Sequence, residues 1–379
     1  MRFKQILITK KIKHFLRYLS LISQWQKENY KREESQTNSS RLTEKQKEQI
    51  KSYWGHLYDS EIQYETFYNQ YNDSFDPRFL PGNLYFRFLG PYLTTIRTAR
   101  IIDDKNLYDY LINDIRRPVT VARVVHGECY DEKFQPISIF NLIRLCGKFD
   151  KVIIKPSVLF SGSSGIIVLK EEDYKTRLPQ LISKGKNYII QEFIEQHEEL
   201  SSLHIDSINT VRLLALNWRG NVKVLSGILR MGVNGSKMDD YSVGGISVGI
   251  EDSGRLKHFA YNLSGKRFDK HPQGEYFDAH YVPNYQELVK LCTYLTPRFA
   301  AVSRLVSWVF AIGKDGHPFL IEVNPVCGEL DFHQLANGPI FGDTGKEILD
   351  IIFRNKRNRV YRWWFNRVYD SSFGLLRLY

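Results

Sequence analysis

Apolar positions along the chain change their period several times, and each change predicts an element. Over residues 10–27, Ile12, Phe15, Leu16, Leu19, Ile22 and Trp25 recur at helical spacing, with Lys10, Lys11, Lys13 and Arg17 largely off that stripe. The polar, turn-rich run 33–41 then reads as a linker. A Tyr-rich helical pattern follows over 43–71, and Asp76-Pro77, Pro81-Gly82 and Gly90-Pro91 punctuate the stretch after it. Beyond about residue 94, helical and strand-like patterns alternate, which predicts an α/β or α+β body rather than a repeat array. Asp103-Asp104-Lys105 opens a predicted helix through Arg116, acids first and basic residues last. The run 306–324 predicts a hairpin turning at Lys314-Asp315-Gly316. Its second strand puts Glu322 and Asn324 on one face, because strand side chains alternate with a period of two.

Charge modifies this picture at the ends. The net charge of the 379 residues is +11, yet residues 1–33 carry nine Lys and Arg against two acids, and 354–379 carry seven against one. The stretch between is slightly acidic, which argues against a central nucleic-acid groove. The helix over 10–27 could lie on an anionic membrane or dock on its own protein, and the aromatic, basic tail could join it. Cys129, Cys146, Cys292 and Cys327 have no C-x-x-C spacing, which suits a reducing cytosol. No run is long enough for a membrane span.

Three stretches carry candidate chemistry. Glu322 and Asn324 offer oxygen ligands suited to Mg²⁺, or else form the polar end of a buried hairpin. Lys155-Pro156 and the small-residue loop Ser161-Gly162-Ser163-Ser164-Gly165 can cradle phosphate, or make a plain turn. Arg212 and Arg230 end apolar strands, where a guanidinium is expensive unless an anion meets it. Nothing suggests a Ser-His-Asp or Cys-His arrangement, and His197, His204 and His333 read as structural or surface residues.

The order Asp-Lys, Lys-Pro with a glycine loop, Gln-Glu-Phe-Ile, Asn-Thr-Val-Arg, an Arg strand, Asp-Asp-x-x-x-Gly-Gly and Glu-Val-Asn-Pro resembles the ATP-grasp superfamily. More narrowly it is similar to the sugar-transfer-associated, α-L-glutamate-ligase-related branch. The resemblance covers roughly 95–350. It implies two α+β subdomains clasping ATP over 95–352; the residue patterns themselves add a basic helix and linker (1–42), a helical, aromatic-rich region (43–94) and a basic aromatic tail (353–379). By the resemblance, Lys105 and Lys155 meet the ATP phosphates, and Gly162, Ser163, Ser164 and Gly165 close over them. Gln191, Glu192, Phe193 and Ile194 form the hinge at the adenine, and Glu199, with Glu198 as the near alternative, holds the ribose. Arg212 and Arg230 face phosphates or an acceptor carboxylate, Asp240 stands where relatives have Asn, and Glu322 and Asn324 hold Mg²⁺.

One ligand implied by the resemblance is missing. Relatives place an acid on the strand before Glu322, where this chain has Val309. The implied activity is a carboxylate–amine ligase acting through an acyl phosphate in bacterial surface-polysaccharide or sugar-conjugate assembly. The alternative is a non-catalytic ATP-binding partner of an assembly enzyme such as a glycosyltransferase. A cytoplasmic location is expected, and the basic, aromatic tail could join the N-terminal helix at the inner membrane face or pack against the core with its arginines solvated.

Overall fold

The computed structural model describes residues 42–55, 75–102, 104–158, 165–262, 265–326 and 328–356. The predicted basic helix over 10–27, most of the glycine loop, Cys327 and the tail beyond residue 356 lie outside these residues. The chain divides into two compact units, one made of residues 1–97 with 338–379 and the other of 98–337. In the first, the Glu44–Trp54 helix starts at a capping box, with Thr43 accepting from the Gln46 N–H and the Gln46 side chain reaching back. Tyr53 bonds to Asp343 at 3.0 Å on the Gly342–Lys356 helix, and Phe88 meets Phe353 edge to face.

The second unit holds two antiparallel sheets. The smaller comprises β1 (Thr120–Val125), β2 (Glu128–Tyr130), β3 (Pro136–Ile137), β4 (Lys151–Pro156), β5 (Ile167–Lys170) and β6 (Tyr188–Glu192), in the order β3-β2-β1-β6-β4-β5. The larger comprises β7 (Thr210–Trp218), β8 (Asn221–Met231), β9 (Ile246–Ile250), β10 (Leu256–Asn262), β11 (Arg267–Phe268), β12 (Leu305–Ile312) and β13 (Pro318–Asn324), in the order β11-β10-β9-β8-β7-β12-β13. Two hairpins close through two-residue turns, His126-Gly127 and Arg219-Gly220, with positive φ at both positions. That geometry matches the right-handed twist of the paired strands and explains the glycine in each.

Each sheet has one apolar face covered by helices. Val152, Ile154, Leu169 and Ile190 of the small sheet pack with Leu142 and Leu178 of the Ile139–Cys146 and Tyr174–Ile182 helices. On the large sheet Val211, Leu213, Leu229, Val248, Trp308 and Phe310 pack with Leu288, Cys292 and Leu295 of the Tyr285–Leu295 helix. Each such buried side chain contributes about 1.5–3 kcal/mol. Trp308 is also fixed by its Nε1–H, which donates to Thr296 Oγ1 at 3.0 Å.

The predicted hairpin is present as β12 and β13, with Gly316 at φ +80° in its turn. Val309 pairs with Glu322 and Phe310 with Leu320, so Ile321 bulges out. The bulge keeps Leu320 in the core while Glu322 and Asn324 face the other way. The expected helix over 103–116 is a correction. Lys105–Leu107 form a single 3₁₀ turn and Tyr108–Leu111 one α turn, because tertiary anchors fix this segment. The Lys105 N–H donates to the Ser157 carbonyl at 2.8 Å, and the Val323 N–H donates to the Tyr108 hydroxyl at 3.1 Å. Beyond it Asp109 pairs with Arg117 at 2.6 Å and with the fully buried Arg123.

Candidate functional site

The second face of the large sheet is polar. Register places Thr210 opposite Arg230, Arg212 opposite Val309, Val309 opposite Glu322 and Ser307 opposite Asn324. Directly paired residues share a face, so three strands, β7, β8 and β13, deliver Arg212, Arg230, Glu322 and Asn324 to one side. On the small sheet Lys155 and Gln191 likewise share a face, with Lys155 Nζ donating to Gln191 Oε1 at 3.2 Å.

Lys105 joins the two sheets. Its Nζ donates to Glu322 Oε1 at 2.8 Å, while its backbone is tied to Ser157 at the end of β4. Glu322 is partly buried, with 15% of its side chain exposed, and that burial by itself would push its pKa up. Lys105, with Arg212 and Lys155 adding to it, holds the carboxyl below its ordinary value. Lys155 moves the other way. Burial, with Lys105 adding repulsion against the pull of Glu322, pushes its ammonium down to about 8. Two lysines and a carboxylate from three separate elements therefore converge, with cationic charge in excess. Gly165 is the described part of the predicted loop. Its φ is +99°, and a Cβ there would lie 2.9 Å from the Pro156 ring, so the chain can leave Lys155-Pro156 closely only with glycine at this point.

The predicted hinge is engaged at each position. Glu192 accepts from the Val119 N–H at 2.9 Å, Lys151 lies over the Phe193 ring, and Ile194 packs with Ala311 and Phe319. Glu199 accepts from the Tyr281 N–H at 3.3 Å and is paired with His280 at 3.0 Å, while Glu198 is exposed. Gly162, Ser163 and Ser164 lie outside the described residues.

Two carboxylates here, those of Asp239 and Glu329, had no role assigned from the sequence. Asp239 takes Arg230 Nε at 3.1 Å and a terminal nitrogen at 3.0 Å, and also accepts from Thr210. Its neighbour Asp240 is buried, with its carbonyl accepting the Val243 and Gly245 N–H groups. Glu329 places a single oxygen, Oε1, between Arg212 at 2.9 Å and Arg230 at 3.2 Å. Burial would lower the Arg230 pKa, but Asp239 and Glu329 hold it above its usual value. His333, one helical turn beyond Glu329, is buried and bonded through Nδ1 to Ser226 at 2.8 Å. Burial and the nearby Arg212 push it down to about 3, so it is neutral. Tyr241 stacks flat on Phe332 at 3.5 Å, and Arg230 lies over its ring. The only sequence signal for Asp239 and Glu329 was the expense of burying Arg212 and Arg230, which required nearby anions without saying which.

Glu322 and Asn324 supply one carboxylate and one amide oxygen. Among the described residues no three His, Cys, Asp or Glu side chains converge as a metal cage. This donor set fits a hard cation held jointly with phosphate oxygens, and does not fit one held by protein alone.

Residues 89–348 match the model of the family described as sugar-transfer associated ATP-grasp. No curated protein matches the chain. Among solved structures it is similar to the ATP-grasp ligase PsnB complexed with minimal precursor, at 12% identity and TM-score 0.41, covering 69% of this chain and 64% of that one. It is also similar to D-alanyl-alanine synthetase A from Vibrio cholerae, at 12% identity and TM-score 0.40, covering 67% and 64%. A third is D-alanine–D-alanine ligase from Bacillus anthracis, at 16% identity and TM-score 0.38, covering 69% of each. The matched part thus spans 64% of the length of the first two.

Proposed function

This chain belongs to the sugar-transfer associated ATP-grasp family, and on that premise we propose that it is an ATP-dependent carboxylate–amine ligase. The observation that carries this reading is the convergence of Lys105, Lys155 and Glu322, a cationic pocket with a single ionised acid. In the proposed reaction the carboxylate of a sugar acid or amino acid attacks the γ-phosphate of ATP, giving an acyl phosphate and ADP. An amine then displaces phosphate to form the amide. Catalysis of this kind needs positioning and charge stabilisation rather than a protein nucleophile.

Lys105 and Lys155 bind the phosphates, and the 191–194 segment lines the adenine. Glu322 and Asn324 would hold Mg²⁺, which when bound with the nucleotide neutralises phosphate charge. Lys105 must then share or release Glu322. Arg212 and Arg230 face the reacting anion, and Asp239 fixes Arg230 in place. The family description supports a substrate drawn from surface-polysaccharide or sugar-conjugate assembly. A cytoplasmic setting, with the basic ends at the inner membrane face, is part of the same reading. Deleting residues 1–41 and 357–379 is expected to reduce flotation with anionic liposomes, and equal binding would refute that part.

Val309 supports a second reading. With a valine directly opposite Glu322, the site has one carboxylate, and the chain could bind ATP for a partner enzyme without turning it over. Incubation with Mg²⁺, ATP and pools of acids and amines distinguishes the two. A ligase releases ADP and phosphate only with the correct acid, whereas a binding partner gains melting temperature from ATP and releases neither.

A further inference from the structure

Arg212 and Arg230 are buried cations on neighbouring strands, and two carboxylates meet them in different ways. Asp239 is buried and uses both oxygens, Oδ1 on Arg230 and Oδ2 on Arg230 and Thr210. That is the fully bonded state expected of a buried structural counterion. Glu329 differs in three respects. Its Oε1 alone bridges Arg212 and Arg230, while Oε2 is buried with no hydrogen-bond partner. Its backbone sits at φ +53°, a left-handed conformation costly for a residue with a Cβ. And 24% of its side chain remains open to solvent, against 7% and 8% for the arginines it bridges.

We propose that Glu329 is a built-in, displaceable occupant of the acid-binding site: its carboxylate stands where the carboxylate of the small acid substrate binds, and leaves when that acid enters. This rests on the ligase reading above. Charge supports it. Asp239 neutralises one of the two guanidinium groups, so the pair without Glu329 carries a single positive charge, which suits one carboxylate. Glu329 meets both guanidinium groups with one shared oxygen, whereas an incoming carboxylate can set one oxygen on each arginine's Nη1. Two charge-assisted hydrogen bonds to separate oxygens are the stronger arrangement. Glu329 therefore acts as a specificity-determining residue: it keeps the arginines in place without substrate and sets a threshold that only an acid able to use both of them overcomes.

The test compares the parent protein with Glu329→Gln and Glu329→Ala, using acetate as the probe against chloride at matched ionic strength. Acetate affinity is read from the rise in melting temperature with concentration. Acetate is expected to bind both variants about tenfold or more tightly than the parent, the scale of one additional charge-assisted hydrogen bond. Arg212→Ala in the Glu329→Ala background should return the affinity to the parent level. Equal affinity in parent and variants, a gain that survives Arg212→Ala, or a gain for inorganic phosphate alone would each overturn the assignment. Loss of cooperative melting in both variants would overturn it too, because a displaceable occupant cannot be essential to the fold. ATP stabilisation of the parent is measured in parallel: its absence would sink the ligase reading, whereas unchanged acetate binding with intact ATP binding would sink only the inference about Glu329.

Discussion

At the scale of single residues, the site is built from buried charges that meet one another, Lys105 with Glu322 and Arg230 with Asp239. Lys155 is held down to about 8 by burial first and then by Lys105. A phosphate favours its charged form, so ATP binding near pH 8 should take up a proton. Calorimetry in two buffers of different ionisation enthalpy should show that uptake, and Lys155→Met should remove it. ATP affinity should also fall as pH rises above about 8, where the free protein's ammonium is lost. Glu322→Gln removes the carboxylate of the metal pair and should lower ATP turnover by about 100-fold, with little loss of fold because the shape is kept. Val309→Asp is expected to lower the Mg²⁺ concentration needed for half-maximal ATP binding, since it sets a second carboxylate directly opposite Glu322. Lys105, Lys155, Arg212, Arg230, Glu322 and Asn324 were legible in the sequence from motif order and from the cost of burying arginines. Glu329 was not, because its role depends on where the connection after β13 returns to the sheet, while His333, read as a structural or surface residue, is buried against Ser226.

At the scale of elements, strands were more legible than helices. Alternation and a turn signal place the β12–β13 hairpin, and the bulge at Ile321 alters its core side without moving Glu322. The segment from Lys105 to Arg116 reads as a helix by local pattern, but anchors to Ser157 and Val323 override a weak propensity. The Leu330–Asn337 helix lies against the polar face of the large sheet, with Asn337 donating to Ser226 and to the Gly227 carbonyl. A Cβ at Gly249 would approach Asn337 Oδ1 to 2.5 Å and the Ala336 carbonyl to 2.8 Å. Gly249→Ala should therefore push this helix outward and destabilise the protein by about 1–3 kcal/mol, measurable by urea unfolding. The same helix carries His333, neutral in the fold with a pKa pushed down to about 3 by burial and Arg212. The unfolded chain binds a proton there below pH 6.5 and the folded chain does not until about 3. Stability from this group is thus present above pH 6.5 and is lost as pH falls, by up to about 1.4 kcal/mol per pH unit. His333→Gln should flatten that acid limb in urea titrations run from pH 7 to pH 4.

At the scale of the whole molecule, the α+β class and the ATP-grasp resemblance were legible because the motifs come in a fixed order along the chain. The strand order β11-β10-β9-β8-β7-β12-β13 was not, since no local pattern says that β12 inserts beside β7. That insertion is what brings Arg212 next to Val309 and Glu322, and so makes a site from strands nearly a hundred positions apart. The division into 98–337 and the remainder likewise depends on tertiary packing rather than on sequence neighbours. The central claim is that this site activates a carboxylate as its acyl phosphate. The most direct measurement is trapping with hydroxylamine: protein, Mg²⁺, ATP and pooled sugar acids and amino acids are incubated, and hydroxamate, ADP and AMP are quantified. Hydroxamate and ADP are expected in equal amounts, dependent on the acid and lost in Glu322→Gln. AMP in place of ADP, or ATP binding with no hydroxamate from any acid, would contradict it.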